Sequence, residues 1–86
     1  MRPLGVPRIT LDHGRPIREA AFGPNNRLVI TVGEKGTAKV WDAKTGSVLS
    51  SIGNDDAEGI EAATFSPDGR RVLTISRTGK ANLHRI

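Results

Sequence analysis

Residues 64–79 read TFSPDGRRVLTISRTG, and residues 21–36 read AFGPNNRLVITVGEKG. Each stretch brings an apolar run to a phenylalanine, makes a proline-led turn, continues into a β-branched run and arrives at a glycine. In SPDG, Pro67 presets φ for the first central position of a type I turn, Asp68 suits the second, and Gly69 can take a positive φ. Gly23, Pro24, Asn25 and Asn26 are expected to do the same work in the earlier stretch. There Asn26 is the side chain that tolerates a left-handed backbone.

Working outward from these turns, a shift of 43 residues aligns residues 13–43 with 56–86 without a gap. Ile17, Ala20, Phe22, Pro24, Arg27, Val29, Thr31, Gly36 and Ala38 meet Ile60, Ala63, Phe65, Pro67, Arg70, Val72, Thr74, Gly79 and Ala81. One shift that matches turn prolines, turn glycines and apolar positions together marks a structural repeat. Runs at residues 17–22, 28–32, 37–41 and 47–52 are strand-length, mostly apolar or β-branched, and bounded by turn clusters. Gly36 and Gly79 mark further hairpins, and Thr45 with Gly46 another. The unit is a four-strand antiparallel meander, written twice.

The chain's 86 residues allow one small core, and with no cysteine that core has no disulfide or thiolate–metal staple. Its only aromatic side chains are Phe22, Trp41 and Phe65, a thin supply that points to help from association. Thirteen Lys and Arg against nine Asp and Glu give a formal charge of +4, spread along the chain as on a soluble surface. A nucleic-acid partner is not expected, since it asks for clustered basic residues with aromatics to stack bases. No apolar run approaches membrane-spanning length, and MRPLGVP lacks the apolar core of a secretory signal; the expectation is no membrane partner and a cytoplasmic protein.

These residues resemble the WD40 β-propeller family. The first copy offers His13, Phe22, Pro24, Gly36 with Thr37, Trp41 with Asp42, and Thr45 with Gly46. The second keeps Phe65, Ser66, Pro67, Asp68, Gly69 and Gly79. The resemblance implies blades of four strands, the outermost coming at the start of each sequence repeat and completing the blade before it. On that reading Arg8, Ile9, Thr10 and Leu11 form an outer strand for a neighbouring chain, and residues 47–52 complete the first blade. The second blade has no outer strand of its own. The division is then 1–12 as an N-terminal segment carrying the inter-chain strand, 13–54 as the first blade and 55–86 as the second.

Many family blades are held by a buried chain of Trp, Ser or Thr, His and Asp. The resemblance places Trp41, Thr31 and His13 in that chain, with Lys35 where Asp is expected, so His13 lacks its usual acceptor. In the second copy the same places hold His84, Thr74, Asp56 and Thr78, and a carboxylate such as Asp56 can accept a hydrogen bond from an imidazole such as His84.

No catalytic site is expected: cysteine is absent, and both histidines fall where the family has structural partners. The acidic residues Asp55, Asp56, Glu58 and Glu61 lack the alternating spacing of a calcium loop, so no metal or cofactor is expected. Gly79 with Lys80 fails as a phosphate loop, because Ala81 stands where Ser or Thr must meet magnesium.

The expectation is therefore an all-β chain of two WD40-like blades that closes into a ring by homo-oligomerisation. An open sheet edge invites pairing, and a head-to-tail contact makes a ring if its rotation closes. Within a range of about four to eight blades, a tetramer of eight is favoured and a trimer of six comes second. The implied function is a scaffold for protein or peptide ligands, docked on loops 12–16, 34–35, 55–59 and 77–78. The alternative is a fragment or engineered propeller whose only activity is assembly. Specific partners retained from a host lysate would separate the two, and salt-sensitive oligonucleotide retention would favour a nucleic-acid binder.

Overall fold

The computed structural model describes residues 9–34, 36–53 and 59–86. Strands β1 (Ile17–Phe22), β2 (Leu28–Gly33), β3 (Ala38–Asp42) and β4 (Val48–Ile52) are followed by β5 (Ile60–Phe65), β6 (Arg71–Ser76) and β7 (Ala81–Arg85). Each pairs antiparallel with its sequence neighbour, giving a four-stranded sheet β1-β2-β3-β4 and a three-stranded sheet β5-β6-β7. The architecture is all-β, as the meander predicts. The two sheets are copies down to their irregularities: the ladder slips between Ile17 and Glu19 in β1 and between Ile60 and Ala62 in β5.

The turns show how far the copies agree. In the second, Gly69 has φ 73° and its N–H donates to the Ser66 carbonyl at 2.9 Å. Asp68 accepts from the Ser66 hydroxyl at 2.6 Å and the Arg70 N–H at 3.0 Å, while Ser66 Oγ accepts from the Arg71 N–H at 3.0 Å. The first turn is a short 3-10 segment, Pro24–Asn26, in which Asn25 (φ 64°) and Asn26 (φ 55°) are both left-handed. The expectation that it repeats the SPDG turn is thus corrected at Asn25. Gly23 stands where Ser66 does and offers no hydroxyl to clamp the side chain two residues on, and asparagine accepts the left-handed region at little cost.

Leu28, Ile30 and Val32 of β2 share one face with Ala38 and Val40 of β3 and with Ile52 of β4, as the pairs Ile30–Val40, Val32–Ala38 and Ala38–Ile52 require. This rear face of the first sheet lies against the front face of the second, Ile60, Ala63, Phe65 and Val72, in one hydrophobic core. Burying an aliphatic side chain of this size contributes about 1.5–3 kcal/mol. Small sheets are marginal alone, so the junction between them holds the chain together.

Backbone contacts fix its register. The Ile60 N–H donates to the Gly36 carbonyl at 2.9 Å, and Gly36 (φ 89°) approaches so closely that a Cβ there would stand 2.5 Å from the Gly59 Cα.

Candidate interaction surfaces

His13 precedes β1, Thr31 lies on β2 and Trp41 on β3, and the three meet on the front face of the first sheet. Trp41 Nε1 donates to Thr31 Oγ1 at 2.9 Å, and Thr31 Oγ1 lies 2.7 Å from His13 Nδ1. Indole N–H is a donor only, so the hydroxyl accepts from it and its own proton is free to turn to Nδ1. The imidazole proton then sits on Nε2, which is buried and has no hydrogen-bond partner among the described residues. Lys35, the residue in the place of the family's Asp, lies outside the described residues. Burial first, and the Lys39 charge second, hold His13 below the ordinary imidazole range, while the Thr37 backbone opposes them in part.

In the second sheet Thr74 Oγ1 and His84 Nε2 are 3.0 Å apart. Asp56, the residue suggested as a partner for His84, lies outside the described residues. Ser76 Oγ bonds to Thr78 Oγ1 at 3.0 Å and accepts from the Lys80 N–H at 3.1 Å.

Two contributors to the first network escape the sequence reading. Lys39 Nζ donates to the His13 carbonyl at 3.0 Å and stands 5.9 Å from the centre of the Trp41 ring. Gly33 presses its backbone against the imidazole, leaving no room for a side chain. A glycine inside a strand pattern is the usual signal of such an approach; nothing local singles out Lys39.

The turns gather at the two ends of the sheets. At one end the Glu34 N–H donates to the Pro16 carbonyl at 2.9 Å, the Arg77 N–H to the Gly59 carbonyl at 3.2 Å, and Arg77 Nη2 to the Glu34 carbonyl at 2.8 Å. The expected docking loops around residues 12–16, 34, 59 and 77–78 are therefore neighbours; Asp55 and Glu58 lie outside the described residues. At the other end are the turns of Pro24, Asn26, Gly46, Pro67 and Gly69. Asp42 accepts there from the Lys44 and Thr45 N–H groups at 2.8 and 3.3 Å, and Gly46 has φ 82°. A cavity of about 540 Å³ opens beside Asn26, Arg27 and Lys44.

Of the expected inter-chain strand, Arg8 lies outside the described residues, and Ile9, Thr10 and Leu11 form no ladder within the chain. Ile9 and Leu11 lie over Gly46 instead.

Among the described residues, two sheet faces carry exposed apolar side chains. The rear face of the second sheet carries Leu73, Ile75, Ala81 and Leu83, the repeat mates of Ile30, Val32, Ala38 and Val40. Val32 and Val40 are 1 % and 0 % exposed, whereas Ile75 and Leu83 are 43 % and 62 % exposed. On the front face of the first sheet, Ile17 is 44 % exposed against 5 % for its mate Ile60, and Phe22 is 66 % exposed. The same positions are core in one blade and surface in the other.

Among the described residues no three His, Asp or Glu side chains are placed to hold a metal ion, and Glu61 is exposed on β5. No described helix is long and apolar enough to cross a membrane.

Residues 5–42 match the model of the family described as WD domain, G-beta repeat. No curated protein matches the chain. Among solved structures it is similar to Hsv2 of Kluyveromyces lactis, with a TM-score of 0.72 and 18 % identity over 85 % of this chain and 23 % of that one. Hsv2 of Kluyveromyces marxianus gives 0.73 and 17 % over 85 % and 25 %. The chain thus spans about a quarter of the length of these propellers. It carries a WD40 repeat at residues 5–42, and its fold is that of two successive β-propeller blades.

Proposed function

We propose that the chain is a self-assembling subunit of a WD40-type propeller, whose ring presents the turn ends of its blades as a docking platform for proteins or peptides. The observation that carries this reading is the mismatch between repeat mates: Ile75 and Leu83 lie open where Val32 and Val40 are core, and Ile17 and Phe22 lie open at the opposite side of the chain. Exposed apolar faces of this extent mark interaction surfaces. Each face also has the chemistry of the one that covers its mate. The second blade has three strands among the described residues, with β7 at its edge; the segment containing Arg8, Ile9, Thr10 and Leu11 of a neighbouring copy is the strand proposed to complete it.

The turn end formed by residues 12–16, 34, 59 and 77–78 would then recur around the ring, multiplying a modest local charge. Native mass spectrometry of the purified chain tests the assembly. Four copies, or three, are expected; a folded monomer at micromolar concentration would overturn the reading.

A further inference from the structure

We propose that copies of the chain join in the register of its own internal junction: the rear face of β5-β6-β7 in one copy docks on the front face of β1-β2-β3-β4 in the next. This rests on the self-assembly reading and adds to it the atoms that meet. Within the chain, the Gly36 carbonyl accepts from the Ile60 N–H at 2.9 Å. Advanced by one repeat, the Gly79 carbonyl of one copy accepts from the Ile17 N–H of the next. Gly79 is prepared for this: its φ of 93° matches the 89° of Gly36, and the space beside it, filled by Gly59 at Gly36, is open. Pro16 of the next copy stands where Gly59 does. Within the chain, a Cβ on Gly69 would lie 4.0 Å from the Pro24 Cβ. One repeat on, Asn26 of the next copy lies beside Pro67.

Two substitutions make the junction between copies the weaker of the two. Arg77 bridges the internal junction by donating Nη2 to the Glu34 carbonyl at 2.8 Å, across one full repeat of 43 residues. Its mate Glu34 has only acceptors, so the next junction has no such bridge. A Cβ at Gly23 would stand 3.1 Å from the Phe65 ring. Ser66 brings that atom against Phe22 of the next copy, and the exposed ring must turn to admit it. Assemblies therefore separate into folded chains before the chains unfold.

The chain has no cysteine, so paired single-cysteine variants report contacts cleanly. Asn26→Cys and Pro67→Cys proteins, mixed and mildly oxidised, are expected to give a reducible species of twice the chain mass. Peptide mass spectrometry should find the 26–67 bond in excess of 26–26 and 67–67 bonds. Such a bond forms only between copies, because each chain carries one thiol, and it needs Cβ atoms about 3.5–4.5 Å apart. Pro24→Cys/Gly69→Cys in one chain checks the internal junction from which the register is taken. The unmodified chain gives a second readout: the Ile17 amide is expected to be protected from exchange in the assembly and to lose protection on dilution. An assembly of correct mass with no preferred 26–67 bond and an unprotected Ile17 overturns this register and leaves self-assembly standing. A monomer at every concentration overturns both.

Discussion

Gly33 lies against the imidazole of His13: a Cβ at residue 33 would stand 2.7 Å from Nε2 and 3.1 Å from Cδ2. The end of β2 has no side chain because the ring occupies its place. In the second copy the mate of Gly33 is Ser76, whose hydroxyl bonds to Thr78 and Lys80, and the mate of His13 is Asp56. Glycine thus goes with histidine in one blade and serine with aspartate in the other.

Gly33→Ala is expected to push His13 off Thr31 and to destabilise the chain by about 1–3 kcal/mol, the usual cost of overpacking. A urea titration followed through Trp41, the one tryptophan, reads this directly. In the His13→Ala background the same change should cost much less, since the two residues share one space. An equal cost in both backgrounds would show that the imidazole is not what the methyl meets.

The pH dependence of stability follows from the same ring. Burial and then Lys39 lower the His13 pKa from its ordinary 6.5, so the unfolded chain binds this proton more readily than the folded one. Stability from this source is fully present above about pH 6.5 and is lost as the pH falls through the window below it, towards the folded pKa. Asp68, held low by the Ser66 hydroxyl and the Arg70 N–H, acts only below about pH 4 and does not confuse the reading. Urea midpoints between pH 7.5 and about 5 should fall for the native sequence and stay flatter for His13→Asn. Lys39→Met should make the decline smaller and end it at a higher pH, because removing a like charge lets the folded ring accept its proton sooner and narrows the gap to the unfolded value.

The turn at Gly23 gives a prediction that runs against sequence intuition. Gly23→Ser would make the first turn more like the SPDG turn, which is clamped by Ser66, and on local grounds should help. In the fold, however, the added Cβ would stand 3.1 Å from the Phe65 ring across the junction. The variant is expected to lose about 1 kcal/mol, as small-to-large changes in packed places do. A gain in the urea midpoint would mean that the turn, and not the junction, governs this position.

The strands and their turns were legible because β-branched runs alternate with proline and glycine at fixed repeat offsets. Pro67 and Gly69 announce a turn whatever lies around them. Asn25 was not legible as a left-handed residue, since its conformation depends on what Gly23 fails to offer. The network of His13, Thr31 and Trp41 was placed by family resemblance, and its hydrogen bonds bridge residues far apart in the chain. Lys39 escaped because a single lysine on a strand carries no pattern; its reach to the His13 carbonyl is a product of tertiary structure alone. Ile9 and Leu11 lie over Gly46 within the chain, a placement that no local pattern announces.

Gly36 and Gly79 are repeat mates with nearly the same backbone, φ 89° and 93°, and they separate the cost of a conformation from the cost of a contact. Alanine at either position meets the left-handed penalty, about 1–2 kcal/mol. At Gly36 the methyl would also stand 2.5 Å from the Gly59 Cα, a backbone atom that cannot swing away, whereas at Gly79 nothing lies within 4 Å. Gly36→Ala should therefore cost the isolated chain about 2–5 kcal/mol, and Gly79→Ala only the smaller part. Dilute urea titrations, below the concentration at which copies associate, check that ordering; equal losses would show that the approach of Gly36 to Gly59 is not a stabilising feature of the junction. At high concentration the order of effects reverses for assembly. Gly79→Ala leaves a folded chain whose new methyl occupies the place proposed for Pro16 of the next copy, so sedimentation should find it monomeric under conditions in which the native sequence is expected to assemble.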